Sequence, residues 1–324
     1  MANTVQKNHF SRLLFISLAC FTGMIGILHH LIVAIPENIQ WIIFSIIIII
    51  TGIPHGALDH EVAKQNSLLN NRLFSAKKFH TKYLSSMLLY GFIWFLFPTL
   101  SFYLFLLISA FHFGETDLPL DLPKPSLLGV LLQVTYGLLI LFIILFIHID
   151  SVLPIIQRIN IFSPALISYL QKDQISIFAI GASFSLFLLT LTVFYFRNKQ
   201  NFIDIKSIFL LIIFVLISAL MLPLPLCFIF YFGLWHSIIS LENIRQHLSK
   251  TKTVGLTWKS LMIKCMPLTA ISLVGLFSAI RLLDLDKNIN LVIMGLFIGI
   301  AILTLPHQEV MSKMYFQLRK KSLS

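Results

Sequence analysis

The run Gly52-Ile-Pro-His-Gly-Ala-Leu-Asp-His60 closes an apolar stretch, Ser45-Ile-Ile-Ile-Ile-Ile50, with two imidazoles, His55 and His60, and one carboxylate, Asp59. Solvation gives a lipid-soluble segment no reason to end in metal-ligand side chains, so chemistry at a membrane boundary is the first inference. Further along, Phe111-His112-Phe113-Gly114-Glu115-Thr116-Asp117 repeats the pattern of a histidine with carboxylates close behind it, and His236 and His307 fall in later apolar runs. Imidazole suits iron, zinc or copper, whereas magnesium or calcium would want mainly oxygen donors. In such a site Glu115 and Asp117 would accept the free ring N–H of a metal-bound His112, and Asp59 that of His55 or His60, and so fix tautomer and orientation. Taken singly, a histidine near a helix end more often just hydrogen-bonds at the interface. Several at one depth favour a shared cation site.

The elements that must position these residues follow from composition. With 57% hydrophobic and 11% charged residues and a mean hydropathy of +0.90, the chain is far more apolar than a soluble domain. The expected fold is an all-α, polytopic integral membrane helix bundle with about ten transmembrane helices, in one domain over residues 1–324. The spans read as 13–35, 39–54, 83–97, 99–113, 126–149, 174–196, 207–222, 226–244, 261–283 and 289–307. Lys7 and Arg12 precede the first span, which is too long for a signal peptide and lacks a small-residue cleavage site, so it is expected to be retained. Gly52 and Pro54 should end the second helix just before His55, and Gly56 should allow close backbone approach. Cys20, Cys227 and Cys265 are odd in number and scattered, which suggests neither a disulfide framework nor a cysteine zinc site.

A net charge of +11 in so apolar a chain points to loops facing anionic lipid, and no nucleic-acid-binding module is visible. With both termini cytoplasmic, 20 of the 24 Lys and Arg residues fall on the inner side, which favours that orientation in a bacterial inner membrane. One point decides it. If 83–113 were a single tilted helix, every later loop would reverse, and a break near Pro98 is the preferred reading. His55, His60, His112, His236 and His307 then share one membrane depth. The remaining six are read as structural: His9 and His247 in solvated segments, His80 in a basic loop, and His29, His30 and His148 toward the opposite face. Asp121 is read as part of a solvated loop.

Gly52-Ile-Pro-His-Gly-Ala-Leu-Asp-His60, His112-Phe-Gly-Glu-Thr-Asp117, Trp235-His236-Ser237 and Leu305-Pro-His307 resemble, in order and spacing, the four histidine motifs of the Brp/Blh family of bacterial membrane carotenoid dioxygenases. The resemblance implies an iron(II) enzyme that uses dioxygen to cleave β-carotene at its central 15,15′ double bond to two molecules of all-trans-retinal. It implies His55, His112 and His236 as the catalytic iron ligands, with His60 and His307 in the same pocket. In the family the Trp-His-Ser motif is followed by another histidine one helical turn later, and here that position is Ser240. Either His60 or His307 completes the sphere, or iron keeps an additional water, or the activity has drifted. Membrane lipid would surround the enzyme, and a retinal-accepting rhodopsin would be a partner.

Residue chemistry agrees independently of the resemblance. Three or four histidines leave iron(II) with open positions for dioxygen, and a polyene supplies the electrons, so the carboxylates are assigned to orientation and not to proton transfer. Among the 30 phenylalanines, Phe111, Phe113, Phe228, Phe230 and Phe232 are candidates for a substrate tunnel, although Phe is common on any lipid-facing helix. The chief alternative is a transporter or proton channel with a histidine relay, which should continue across the membrane and not stop on one side. An opsin would want a lysine deep in a span, and a di-iron desaturase would want dense histidine boxes. Neither is present.

Overall fold

A computed structural model describes residues 2–118, 120, 126–158, 161–198, 204–250, 255–282 and 289–322; Asp121 lies outside them. In lipid an open backbone satisfies its own N–H and C=O groups only as helix, and among the described residues all regular structure is helical. The order is α1 (Ala2–Ile27), α2 (Glu37–Ile47), α3 (Ile53–Ala57), α4 (Asp59–Leu69), α5 (Ala76–Leu96), α6 (Pro98–Asp117), α7 (Leu127–Ile147), α8 (Ile149–Arg158), α9 (Pro164–Leu170), α10 (Asp173–Arg197), α11 (Ile205–Met221), α12 (Leu224–Ile229), α13 (Ser237–Ser249), α14 (Trp258–Leu282) and α15 (Ile289–Ser322). Three π-turns, Leu28–Ile32, Ile48–Gly52 and Phe230–His236, are built into the chain between them.

Among the described residues six stretches are long and apolar enough to cross a membrane: Phe10–Ile32, Glu37–Leu69, Leu127–Ile147, Gln174–Arg197, Leu224–Ser249 and Trp258–Ser278. The expected count of about ten is thus reached only in part, and the other four expected spans fall in α5, α6, α11 and α15. α11 has only 17 residues. α6 is diluted by His112, Glu115, Thr116 and Asp117, the polar residues it gives to the interior. The surface is apolar, with Phe95 83% and Leu31 79% exposed, while His55, Asp59, His112, Glu115, His236, Asn243 and Gln308 are buried. A chain whose solvent is lipid has this inverted arrangement.

The break near Pro98 is present. α5 ends at Leu96, Phe97 leaves the helix at φ −137° and ψ 67°, and Pro98 opens α6, where a missing N–H costs nothing. The chain then folds back, with Tyr90 Oη donating to the carbonyl of Ser101 at 2.9 Å. Gly52 and Pro54, by contrast, do not end their helix. The π-turn Ile48–Gly52 passes directly into α3 with Pro54 in its first turn, again a position that needs no amide donor.

α7 packs against α6, α10 and α11. A Cβ on Gly114 would overlap the carbonyl of Gln133, and one on Gly137 would overlap the carbonyl of Ala110. Reciprocal glycines therefore bring the α6 and α7 backbones into contact, the close packing that small residues allow between membrane helices. Since Gly114 follows His112 by two residues, this contact also sets the height of His112. One apolar core gathers around α7, α10, α11 and α12. A second joins α4, α13, α14 and the later turns of α15 through Leu58, Val62, Ile244, Leu261, Met311 and Met314. The site lies where the two meet.

Candidate metal centre

Four helical segments each deliver one buried imidazole. His55 sits in α3 directly after its π-turn, His112 near the end of α6, His236 at the end of the π-turn Phe230–His236, and His307 on α15 after Pro306. Their exposures are 5, 3, 0 and 6%. π-turns cost helical hydrogen-bond geometry and recur at functional sites because they re-aim side chains. Two of the four histidines depend on one.

Ligand atoms of His55, His112 and His236 lie within 4.8 Å of one another. His112 Nε2 and His236 Nε2 are 3.0 Å apart, a separation that one shared proton or one common cation can bridge. His307 closes the group, its ring centroid 4.9 Å from those of both His55 and His112. Nδ1 of His55, His112 and His236 and Nε2 of His307 are buried without a protein hydrogen-bond partner. Buried polar atoms normally find partners, and four buried imidazoles gathered at these distances, with Nε2 of His307 left free, fit a first-row transition metal by donor type and by number.

The carboxylates are distributed differently from the expectation. Asp59 meets the imidazole of His307 in place of His55 or His60, with Oδ1 and Oδ2 at 2.8 and 3.0 Å from Nδ1, and it accepts a further hydrogen bond from Tyr83 Oη at 2.8 Å. Nε2 of His307 is thereby turned to the cluster as the free lone pair. Glu115 instead accepts from Gln308 Nε2 at 3.0 Å and Ser312 Oγ at 2.6 Å, which ties α6 to α15. Asp117 is held by Tyr136 Oη, Tyr231 Oη and Trp235 Nε1 at 3.2, 2.8 and 3.1 Å. Its role is to clamp the end of α6 to α7 and to the segment carrying His236, in place of orienting a ring.

His60 stands apart from the cluster. Its Nδ1 lies 3.0 Å from His80 Nε2 with the two rings stacked, and Phe74 and Phe79 pack around them. At about 100° per helical residue, Asp59 falls close to the face of His55 while His60 is carried well round the helix. Ser240 is fully buried one turn after His236. His247, expected in a solvated segment, is also fully buried; it lies three turns from His236 on the same helix face, a spacing that could have signalled this. Tyr83, Gln308 and Ser312 escaped the sequence reading, and no local signal marks them, because each meets its partner across helices. His148 is structural as expected, its ring nitrogens 2.8 Å from the carbonyls of Ile144 and Leu222.

Aromatic rings lead away from the histidines. Phe232 stacks on His236 at 5.8 Å, Phe228 on Phe232 at 5.4 Å and Phe44 on Phe228 at 6.2 Å. Phe113 packs edge-on to His236 at 4.8 Å. Phe230 stacks instead on Phe21, and Phe111 lines a separate cavity. Comparison with known families matches residues 46–315 to the one described as beta-carotene 15,15'-dioxygenase, which spans all four histidines. No curated protein and no solved structure matches the chain.

Proposed function

Since the chain belongs to the beta-carotene 15,15'-dioxygenase family, we propose that His55, His112, His236 and His307 hold iron(II) in an enzyme that cleaves β-carotene at its central double bond. The family makes the chain a carotenoid-cleaving dioxygenase with β-carotene and dioxygen as its substrates. The observation that carries the iron assignment is the convergence of four buried imidazoles, His55, His112 and His236 within ligand distance of one another and His307 ring to ring with two of them. His307, not His60, then occupies the place left by Ser240. Iron(II) bound there supplies a redox partner for dioxygen beside the polyene.

The protein's own residues have the remaining work. Asp59 and Tyr83 hold His307 in one tautomer and orientation. The row Phe44, Phe228, Phe232 offers a flat, apolar wall along which a conjugated chain lies, open to a substrate that arrives laterally from lipid. Burial excludes bulk water from the reacting carbons. Both oxygen atoms of dioxygen end in the two aldehydes, so the overall reaction neither takes up nor releases a proton. Consistently, Asp59, Glu115 and Asp117 are all engaged in fixed hydrogen bonds. The enzyme would sit in a bacterial inner membrane with both termini and the histidine cluster toward the cytoplasm.

Expression in a β-carotene-accumulating bacterium tests this reading. Wild type should bleach the orange colour and yield retinal as the single aldehyde product, whereas His236→Ala should do neither. Longer apocarotenals would refute central cleavage, and persistent colour with well-expressed wild type would refute the activity.

A further inference from the structure

Beyond the histidines, polar residues continue along all four helices that carry the site, and they do so in one direction. On α13, His236, Ser240, Asn243 and His247 follow one another at intervals of four, three and four residues and so form one stripe. On α6, Thr116 lies one turn past His112. On α15, Tyr315 lies just over two turns past His307, and on α4, Asn66 lies two turns past Asp59. The layers meet in space: Tyr315 Oη is 3.0 Å from Thr116 Oγ1 and 3.5 Å from Asn243 Nδ2.

This column is almost wholly shielded. Ser240, Asn243 and His247 are 0, 1 and 0% exposed and Asn66 8%. Asn243 Oδ1, both ring nitrogens of His247 and both side-chain polar atoms of Asn66 have no protein partner. A protein rarely buries that many donors and acceptors unsatisfied, since each costs roughly 1–3 kcal/mol, and the usual remedy is ordered water making two to four hydrogen bonds. A cavity of about 610 Å³, lined in part by Asn66, Glu115 and Ser312, approaches the same layer from the side. The row of Phe232 and Phe228 runs the other way, back along the π-turn that ends at His236 and into α12.

We propose that this polar column is a hydrated route by which a divalent metal ion reaches the four-histidine centre from the water-facing side, separate from the apolar path taken by the polyene. The proposal rests on the metal-centre reading above. Its chemistry is that of transfer between neutral donors: amide, hydroxyl and imidazole groups replace water around the ion step by step, while the cationic groups nearby, Lys250 beside His247 and Arg72 and Lys313 on the side cavity, stand at its outer end. His247, the outermost imidazole of the stripe, is the relay ligand.

Full-length protein stripped of metal by a chelator in detergent is mixed with cobalt(II), and incorporation is followed by the visible absorption of the coordinated ion. Wild type should take up one cobalt per chain. Asn243→Leu and His247→Leu should each slow uptake by at least about tenfold, as expected when a passing ion loses a polar contact, and should reach the same final stoichiometry. Ser185→Leu, on the exposed face of α10, should load at the wild-type rate. Wild-type loading rates in both column variants would overturn the route while leaving the centre standing. If one variant fails to fold, the rate of the other decides. Wild type that takes up no cobalt would overturn the centre and the route together.

Discussion

His307 and Asp59 are 248 residues apart in sequence and 2.8 Å apart in space. That pair brings His307 up to His55 and His112, so four imidazoles gather although position 240 is a serine. Asp59→Asn should weaken metal retention roughly 10- to 100-fold, the usual consequence of losing a carboxylate behind a ligand histidine, as measured by iron content after dialysis against graded chelator. Retention equal to wild type would remove Asp59 from the site. His60→Ala should leave iron content unchanged, because its ring is stacked on His80. Ser240→His should restore iron to His307→Ala, since position 240 faces inward one turn from His236. A folded double variant without iron would show that the new ring overpacks against its neighbours, at a cost of about 1–3 kcal/mol, and does not reach the metal.

At the scale of elements, the site depends on how closely α6 and α7 approach. Gly114→Ala and Gly137→Ala should each destabilise by about 1–3 kcal/mol or more, because the new methyl meets backbone that cannot move aside. Gly181→Ala, where nothing lies within 4 Å of the added carbon, should be neutral or stabilising by about 0.5–1 kcal/mol. Thermal unfolding in detergent separates the cases, and equal melting temperatures for all three would refute the close contact. The π-turns are the other device at this scale. One follows the apolar helix α2 and leads into α3 with His55, and the other follows the buried α12 and ends on His236, so each re-aims the chain where a polar ring turns inward.

For the whole molecule, the hairpin at Pro98 determines which side carries the chemistry. Tyr83, near the start of α5, bonds to Asp59, and His112, near the end of α6, packs against His307. The two helices therefore run in opposite directions and return the chain to the side from which it came. A reporter inserted at Leu118 should be cytoplasmic, as should one near Asn70 and one after Lys320, read by cysteine accessibility in intact cells. External labelling at Leu118 alone would contradict the hairpin, and external labelling at all three would invert the molecule.

Composition and apolar run length were enough to determine an all-helical membrane bundle, because lipid leaves the backbone few other ways to satisfy its hydrogen bonds. The same reading singled out His55, His112, His236 and His307, which the fold buries side by side, since ionisable groups in apolar runs stand out against their surroundings. What it could not settle were matters of angle and of partners distant in sequence. His60 looked equivalent to His55 until the fold turned it toward His80. Glu115 and Asp117 looked like ring acceptors until Gln308, Ser312, Tyr136, Tyr231 and Trp235 arrived from other helices to occupy them. His247 looked solvated because its neighbours are charged, yet helical periodicity carries it to the interior. Pattern along the chain specifies which side chains must leave lipid. Only the packing of the helices decides which of them meet, because a turn of about 100° per residue moves neighbours in sequence to different faces and brings distant ones together.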